Sequence, residues 1–211
     1  MLNALFPEIP WDRIRCVGFD LDGTLYDEFV FIRQAYHAIL QDSATLFPDY
    51  APAFAYMLDR WLEKGSSYSR IFDEAFRRFG CDQSQLEPFI ARALKVFRQF
   101  QPELALPKRN RHLLTSFQSR FDMFVISDGS PDLQRNKFRA LGLEDFFTPN
   151  RVLFTGDLGP DFYKPNAAAF ARMDLSCAPS EVVYFGDRAI DEEFCGRVGI
   201  NFQRVYNMVP R

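Results

Sequence analysis

Cys16-Val17-Gly18-Phe19-Asp20-Leu21-Asp22-Gly23-Thr24-Leu25 is the stretch from which the fold of this chain can be read. Its first four residues form an apolar run of strand type, and two aspartates follow at once, separated by a single leucine. In extended backbone, side chains two residues apart point the same way. Asp20 and Asp22 therefore face a common site just past the end of a buried strand. Two carboxylates that close repel each other unless a proton, a cation or a metal lies between them. Gly23 lets the chain turn sharply, and Thr24 adds a hydroxyl. Taken alone, the pattern fits either a divalent-ion site with a nucleophile or an acidic strand-to-loop turn, which Asp and Gly commonly make.

Further strand-type runs recur at Met123–Ile126, Val152–Phe154, Val182–Phe185 and Phe202–Tyr206. Helical patterns lie between them. One spans Pro131–Leu141, with Ser130 as a good N-cap, Pro131 at the first helical position and Gly142 as the stop. Asn166–Met173 and Ala189–Val198 read similarly. Strands alternating with helices of this length predict an α/β protein with a doubly wound parallel sheet, whose active sites sit at the carboxyl ends of the strands.

The interval 29–100 is different. Apolar residues recur there at helical spacing, as in Phe31, Ala35, Ala38 and Ile39, or Phe89, Ile90, Ala93, Leu94 and Phe97. Breaks fall at Phe47-Pro48-Asp49, Lys64-Gly65-Ser66-Ser67 and Gly80-Cys81-Asp82. The spacing predicts a four-helix insertion after the first strand. The expected domains are thus an α/β core of residues 1–28 and 101–211 and a helical domain of 29–100.

The chain has 211 residues, enough for one good core and a smaller accessory domain, and its 24 phenylalanines supply much of that core. A net charge of −3 leaves no electrostatic footprint for nucleic acid. No apolar segment approaches the length of a membrane span, and residues 1–15 lack the pattern of a secretory signal. Cys16, Cys81, Cys177 and Cys195 show no C-x-x-C spacing. They are expected to be reduced, buried thiols of a cytoplasmic protein, with disulfide or zinc chemistry the alternative. The composition sets no oligomeric state.

Three more candidate sites fall where sheet strands end. Ser127-Asp128-Gly129-Ser130 follows the second predicted strand, where a hydroxyl and turn amides ahead of a helix suit a phosphate oxygen or simply cap the helix. Lys164, ahead of Pro165, is held extended and would neutralise a phosphoryl dianion, unless it is an ordinary surface lysine. Asp187, in Gly186-Asp187-Arg188-Ala189-Ile190-Asp191, would ligate a hard cation such as Mg²⁺. Asp191 either shares that task or compensates the helix dipole.

The order of these motifs, D-x-D-G-T, S-D-G, K-P and G-D-x-x-x-D, resembles the haloacid dehalogenase-like (HAD) hydrolase superfamily over almost the whole chain. The helical segment resembles its C1-type cap. The resemblance implies Asp20 as a nucleophile forming an aspartyl-phosphate, and Asp22 as the acid and base that serves the leaving group and then water. It implies Ser127 and Lys164 on the phosphoryl oxygens, together with Asp128 and Gly129. A Mg²⁺ site of Asp20, Asp187 and Asp191 is also implied, with Asp22 joining through its backbone carbonyl.

Within the superfamily, dehalogenases lack an acid two residues after the nucleophile, so Asp22 favours phosphoryl transfer. The expected activity is Mg²⁺-dependent hydrolysis of a small phosphorylated metabolite, a sugar phosphate or nucleotide. A phosphomutase similar to β-phosphoglucomutase and a catalytically silent binding protein are the alternatives. The segment Gly65–Arg70 is the expected cap contribution to substrate binding, with Arg70 its charged member. The long link Asp157–Phe162 loosens the placement of Lys164, and Lys137 is the other nearby lysine, expected to face solvent.

Overall fold

A computed structural model describes residues 2–47 and 49–210; Pro48, within one of the expected breaks between helices, lies outside them. After a single-turn helix α1 (Leu2–Leu5), the chain enters β1 (Cys16–Phe19). Four helices follow: α2 (Glu28–Asp42), α3 (Ala51–Lys64), α4 (Ile71–Arg78) and α5 (Gln83–Gln99). The remainder runs α6 (Lys108–Gln118), β2 (Asp122–Ser127), α7 (Pro131–Ala140), β3 (Val152–Phe154), α8 (Ala168–Ala171), β4 (Val182–Gly186), α9 (Ala189–Val198), β5 (Asn201–Tyr206) and β6 (Val209–Pro210). The chain divides into two compact units, one of residues 1–28 with 103–211 and one of residues 29–102.

In the first unit, the described strands form one sheet in the order β3-β2-β1-β4-β5-β6. Pairing is parallel from β3 through β5, with Phe19 in register with Val125 on one side and Phe185 on the other. Only β6 runs antiparallel, a short edge strand absent from the sequence-based expectation. All four residues of β1 are buried, as expected for a central parallel strand covered on both faces. Cys16 packs on one face with Phe124, Ile126, Tyr184 and Phe194. On the other, Phe19 stacks on Phe185 at a centroid distance of 5.5 Å, and Phe117 and Phe6 join them. A Cβ at Gly18 would lie 2.3 Å from the Phe124 ring, so that position admits only glycine without repacking.

Several elements differ from expectation. The helix after Pro165 is a single turn, because Asn166 Oδ1 accepts the Ala168 amide and delays its start. Ser130 occupies the N-cap of α7, yet its side chain makes no capping bond. Helix α6 precedes β2 and is absent from the sequence-based expectation. The four-thiol reading is corrected: Cys16 and Cys177 form a disulfide across 161 residues of sequence, while Cys81 and Cys195 are free and buried. Parallel pairing of β1 with β4 explains this, since it brings the loop before β4 beside the first residue of β1. A cytoplasmic location inferred from reduced thiols loses that basis. Among the described residues, no helix is long and apolar enough to cross a membrane.

In the second unit, the four helices pack through aromatic contacts. Phe31 meets Phe97 at 5.4 Å, Tyr36 meets Phe72 at 5.9 Å, and Phe47 meets Phe76 at 5.4 Å. Glu74 gathers the Arg60 guanidinium and the Tyr56 and Tyr68 hydroxyls, tying α3 to α4.

Candidate active site

The parallel register aligns the ends of β1, β2 and β4, and the polar residues of the first unit collect there. Asp20 follows β1, its amide donating to the Phe185 carbonyl at 2.9 Å, which extends the ladder by one step. Asp20 is 1% exposed. Lys164, also buried, donates to Asp20 Oδ1 at 2.7 Å and to Asp191 Oδ1 at 2.6 Å. It also reaches the Tyr184 hydroxyl at 3.3 Å, which in turn donates to the Ile126 carbonyl. The long link before Lys164 therefore does not displace it from Asp20.

Asp187 enters from the end of β4. Gly23 makes room for it: its φ of +72° suits glycine, and a Cβ there would stand 2.5 Å from Asp187 Oδ2. Asp20, Asp187 and Asp191 each offer an oxygen within 4.8 Å of the others. Asp20 Oδ2 and Asp187 Oδ1 are buried without a hydrogen-bond partner among the described residues. Three carboxylates with oxygens left over fit a hard divalent cation, which takes oxygen ligands. Asp191 also accepts the Arg188 amide at 3.1 Å, so it caps the start of α9 while it holds Lys164.

The electrostatics follow from burial and proximity. Burial pushes the Asp20 carboxyl up to about 6; Asp191 adds to this and Lys164 opposes it. Burial again, with the charge of Asp20, raises Asp187 to about 8. Lys164 is well above its ordinary range: burial favours the neutral amine, but the charges of Asp191 and Asp20 outweigh it. With all three carboxylates ionised, the cluster carries more negative charge than Lys164 and Arg188 balance, which favours a cation over the Asp187 proton.

Asp22 points elsewhere. Its carboxylate is not part of the three-aspartate group; it accepts from Lys137 Nζ at 2.8 Å, from Gln134 Nε2 at 2.8 Å and from the Tyr26 hydroxyl. Burial would raise its pKa, but the Lys137 charge and these three donors hold it below the ordinary carboxylate value. Lys137, expected to face solvent, is instead buried beneath the site, its side chain 4% exposed. Leu133, Gln134, Lys137 and Phe138 form the inward face of α7, which carries a glutamine and a lysine where apolar residues are usual.

Ser127 closes β2, and its hydroxyl lies 2.8 Å from Gln134 Nε2. Asp128 turns its carboxylate inward, accepting from Thr155 Oγ1 at 2.7 Å and from the Lys164 amide at 3.2 Å. An acidic side chain would repel a phosphate, so what Asp128 and Gly129 offer a phosphoryl group is their backbone. Arg70 is the exposed N-cap residue of α4 in the helical unit. Arg188 and Gln134, neither anticipated from sequence, join the site: Arg188 lies 3.8 Å from Asp187, and Gln134 links Asp22, Ser127 and the Asp128 carbonyl.

Comparison with known proteins places the chain among hydrolases. A glyceraldehyde 3-phosphate phosphatase of Methanothermobacter thermautotrophicus is 29% identical over 189 residues, covering 87% of this chain and 80% of the relative. A phosphatase of the same name from Pyrococcus furiosus is 25% identical, covering 83% and 73%. Among solved structures, a subfamily IA HAD-superfamily hydrolase of Geobacter sulfurreducens matches with a TM-score of 0.70 at 18% identity, covering 91% of this chain and 87% of that one. The L-2-haloacid dehalogenase of Xanthobacter autotrophicus matches with a TM-score of 0.58 at 20% identity, covering 91% and 77%. The family model for a haloacid dehalogenase-like hydrolase matches residues 14–199, from just before β1 to the end of α9, and the chain belongs to that family.

Proposed function

We propose that this chain is a phosphoric monoester hydrolase acting on a small phosphorylated metabolite of the sugar phosphate class, with Mg²⁺ and an aspartyl-phosphate intermediate. The observation that carries this reading is the pair of unlike carboxylates: Asp20 ion-paired to Lys164, and Asp22 two residues on, held by a separate set of donors. The names of the two curated relatives support a phosphorylated triose as the first substrate to try.

In this mechanism Asp20 attacks phosphorus, a role that calls for an ionised, positioned carboxylate and no base. Lys164 and the Ser127 hydroxyl hold phosphoryl oxygens as charge redistributes. Asp22 gives a proton to the departing oxygen and later takes one from the water that hydrolyses the intermediate. Asp20, Asp187 and Asp191 would hold Mg²⁺, which supplies positive charge against the phosphoryl group. The helical unit of residues 29–102 is read as the cap, with Gly65–Arg70 offered to the leaving group. A dehalogenase would have no use for an acid at position 22, which sets that chemistry aside.

A phosphate-release assay with Mg²⁺ over a panel of triose, hexose and nucleotide monophosphates tests this. Wild type should release phosphate from a sugar phosphate and Asp20→Asn should not. Silence across the panel, or an active Asp20→Asn enzyme, would overturn the reading.

A further inference from the structure

We propose that Lys137 and Gln134 are positioning residues for proton delivery, holding the Asp22 carboxylate in register with the phosphate-binding Ser127 so that phosphate esters of poor, alkoxide leaving groups can be cleaved. This rests on the phosphatase reading above and extends it to two residues that the motifs of the sequence do not include.

The geometry is a clamp. Asp22 Oδ1 receives Lys137 Nζ at 2.8 Å and the Tyr26 hydroxyl, and Oδ2 receives Gln134 Nε2 at 2.8 Å. Each oxygen thus has a fixed partner, which leaves the carboxylate little freedom to rotate. The Gln134 amide orientation is set by its surroundings, because Nε2 faces three acceptors: Asp22 Oδ2, Ser127 Oγ and the Asp128 carbonyl. Turned the other way, its oxygen would face the Asp22 carboxylate and the Asp128 carbonyl, neither of which can donate to it. Because Gln134 donates to Ser127 Oγ, the serine hydrogen is directed away from the amide and is available to a phosphoryl oxygen. One helix, α7, therefore fixes both the group that holds the phosphate and the group that serves the leaving oxygen.

A structural role explains this less well. A lysine whose side chain is 4% exposed carries a large desolvation penalty, and an apolar residue on that face of α7 would pack without one. What an apolar residue could not do is aim a carboxylate. In the first half-reaction, Asp20 oxygen bonds to phosphorus while the bond from phosphorus to the leaving oxygen breaks. The electron pair stays on that oxygen, which takes a proton from Asp22; Asp22, ionised before substrate arrives, acquires that proton from the phosphate monoester monoanion as it binds. In the second, water bonds to phosphorus and gives its proton back to Asp22, while the bond from phosphorus to Asp20 breaks and phosphate departs. Positioning of Asp22 matters to the first step in proportion to how badly the leaving oxygen needs a proton. An alkoxide needs it; p-nitrophenolate, a stable anion near neutral pH, scarcely does.

The test compares the single-turnover rate constant for an alkyl phosphate, glycerol phosphate or a triose phosphate, with that for p-nitrophenyl phosphate in the presence of Mg²⁺. Wild type, Lys137→Met, Lys137→Arg, Asp22→Asn and the double variant Asp22→Asn/Lys137→Met are measured. Lys137→Met should lower the alkyl rate by about 10- to 100-fold more than the aryl rate, within the range general acid catalysis supplies. Lys137→Arg should restore part of the loss. In the Asp22→Asn background, Lys137→Met should no longer change the alkyl-to-aryl ratio. The double variant also removes the unpaired buried charge, so it keeps the test open if Lys137→Met folds poorly. Equal loss on both substrates, or a ratio that still shifts without Asp22, contradicts the proposal while wild-type turnover leaves the phosphatase reading standing. A wild type inactive on both substrates would sink the two together.

Discussion

Lys164 Nζ lies 2.7 Å from Asp20 Oδ1, and the other oxygen of that carboxylate, Oδ2, is buried without a hydrogen-bond partner among the described residues. The proposed nucleophile is thus half satisfied, held by one cation on one side and open on the other. A fully satisfied carboxylate would be a poorer nucleophile, and a wholly unpaired one would not stay ionised at this depth.

Replacing Lys164 with Ala removes the ammonium that bridges Asp20 and Asp191, leaving two buried carboxylates without it. Turnover should fall by about 100-fold or more, as for loss of a transition-state donor. The metal-free variant should lose about 3–5 kcal/mol of stability, the scale for breaking a buried ion pair. Thermal unfolding with and without Mg²⁺ checks this, because added cation should restore part of the loss.

Asp187 should link binding of the proposed Mg²⁺ to pH. Its carboxyl is raised from 3.8 to about 8, chiefly by burial and then by the charge of Asp20. A folded-state value above the unfolded one means the metal-free protein holds this proton more tightly when folded. That contribution to stability is fully present below about pH 4 and is lost as pH rises through 8. A cation competes with the same proton, so Mg²⁺ affinity should weaken by up to about tenfold per pH unit below 8. Calorimetric titration with Mg²⁺ at several pH values, with Asp187→Asn as the control that lacks the dependence, measures it.

Gly23→Ala should disturb the three-aspartate group through Asp187. The new Cβ meets a φ of +72° and stands 2.5 Å from Asp187 Oδ2, so backbone and carboxylate must both shift. A stability loss of about 1–2 kcal/mol is expected from the backbone conformation alone. Weaker Mg²⁺ binding should accompany it, and calorimetry of the folded variant separates the two effects.

Asp128 acts on Lys164 through the backbone, accepting the Lys164 amide at 3.2 Å while Thr155 Oγ1 holds it from the other side. Asp128→Asn keeps an acceptor and should retain most activity. Asp128→Ala should lower kcat by about tenfold or more, with little change in KM, since misplacing a catalytic group lowers the rate of chemistry. Steady-state kinetics of the two variants decides between this anchoring role and direct contact of the Asp128 side chain with substrate.

How much of this was legible in the sequence depended on distance along the chain. Strand β1 and the two aspartates after it are local features, and Cys16–Phe19 and Val152–Phe154 have the bounds that the apolar runs suggest. The burial of Lys137 is not evident locally, because a lysine among Gln134, Arg135 and Arg139 looks like a solvated helix face. The available signal was its spacing: Gln134, Lys137, Phe138 and Leu141 follow i, i+3, i+4, i+7, which places two polar residues on an inward stripe. The Cys16–Cys177 pair depends on the β1–β4 register and no local pattern announces it. Strand β6 is two residues long, too short for any periodicity.

The claim that Asp20 forms a covalent bond to phosphorus is tested most directly by rapid acid quench of wild-type enzyme with a radiolabelled triose phosphate and Mg²⁺, followed by mapping of the labelled peptide. The account predicts a transient, hydroxylamine-sensitive phosphoryl label on the peptide containing Asp20, absent from Asp20→Asn. Phosphate release at the wild-type rate with no label on that peptide, or with the label on another residue, would contradict it.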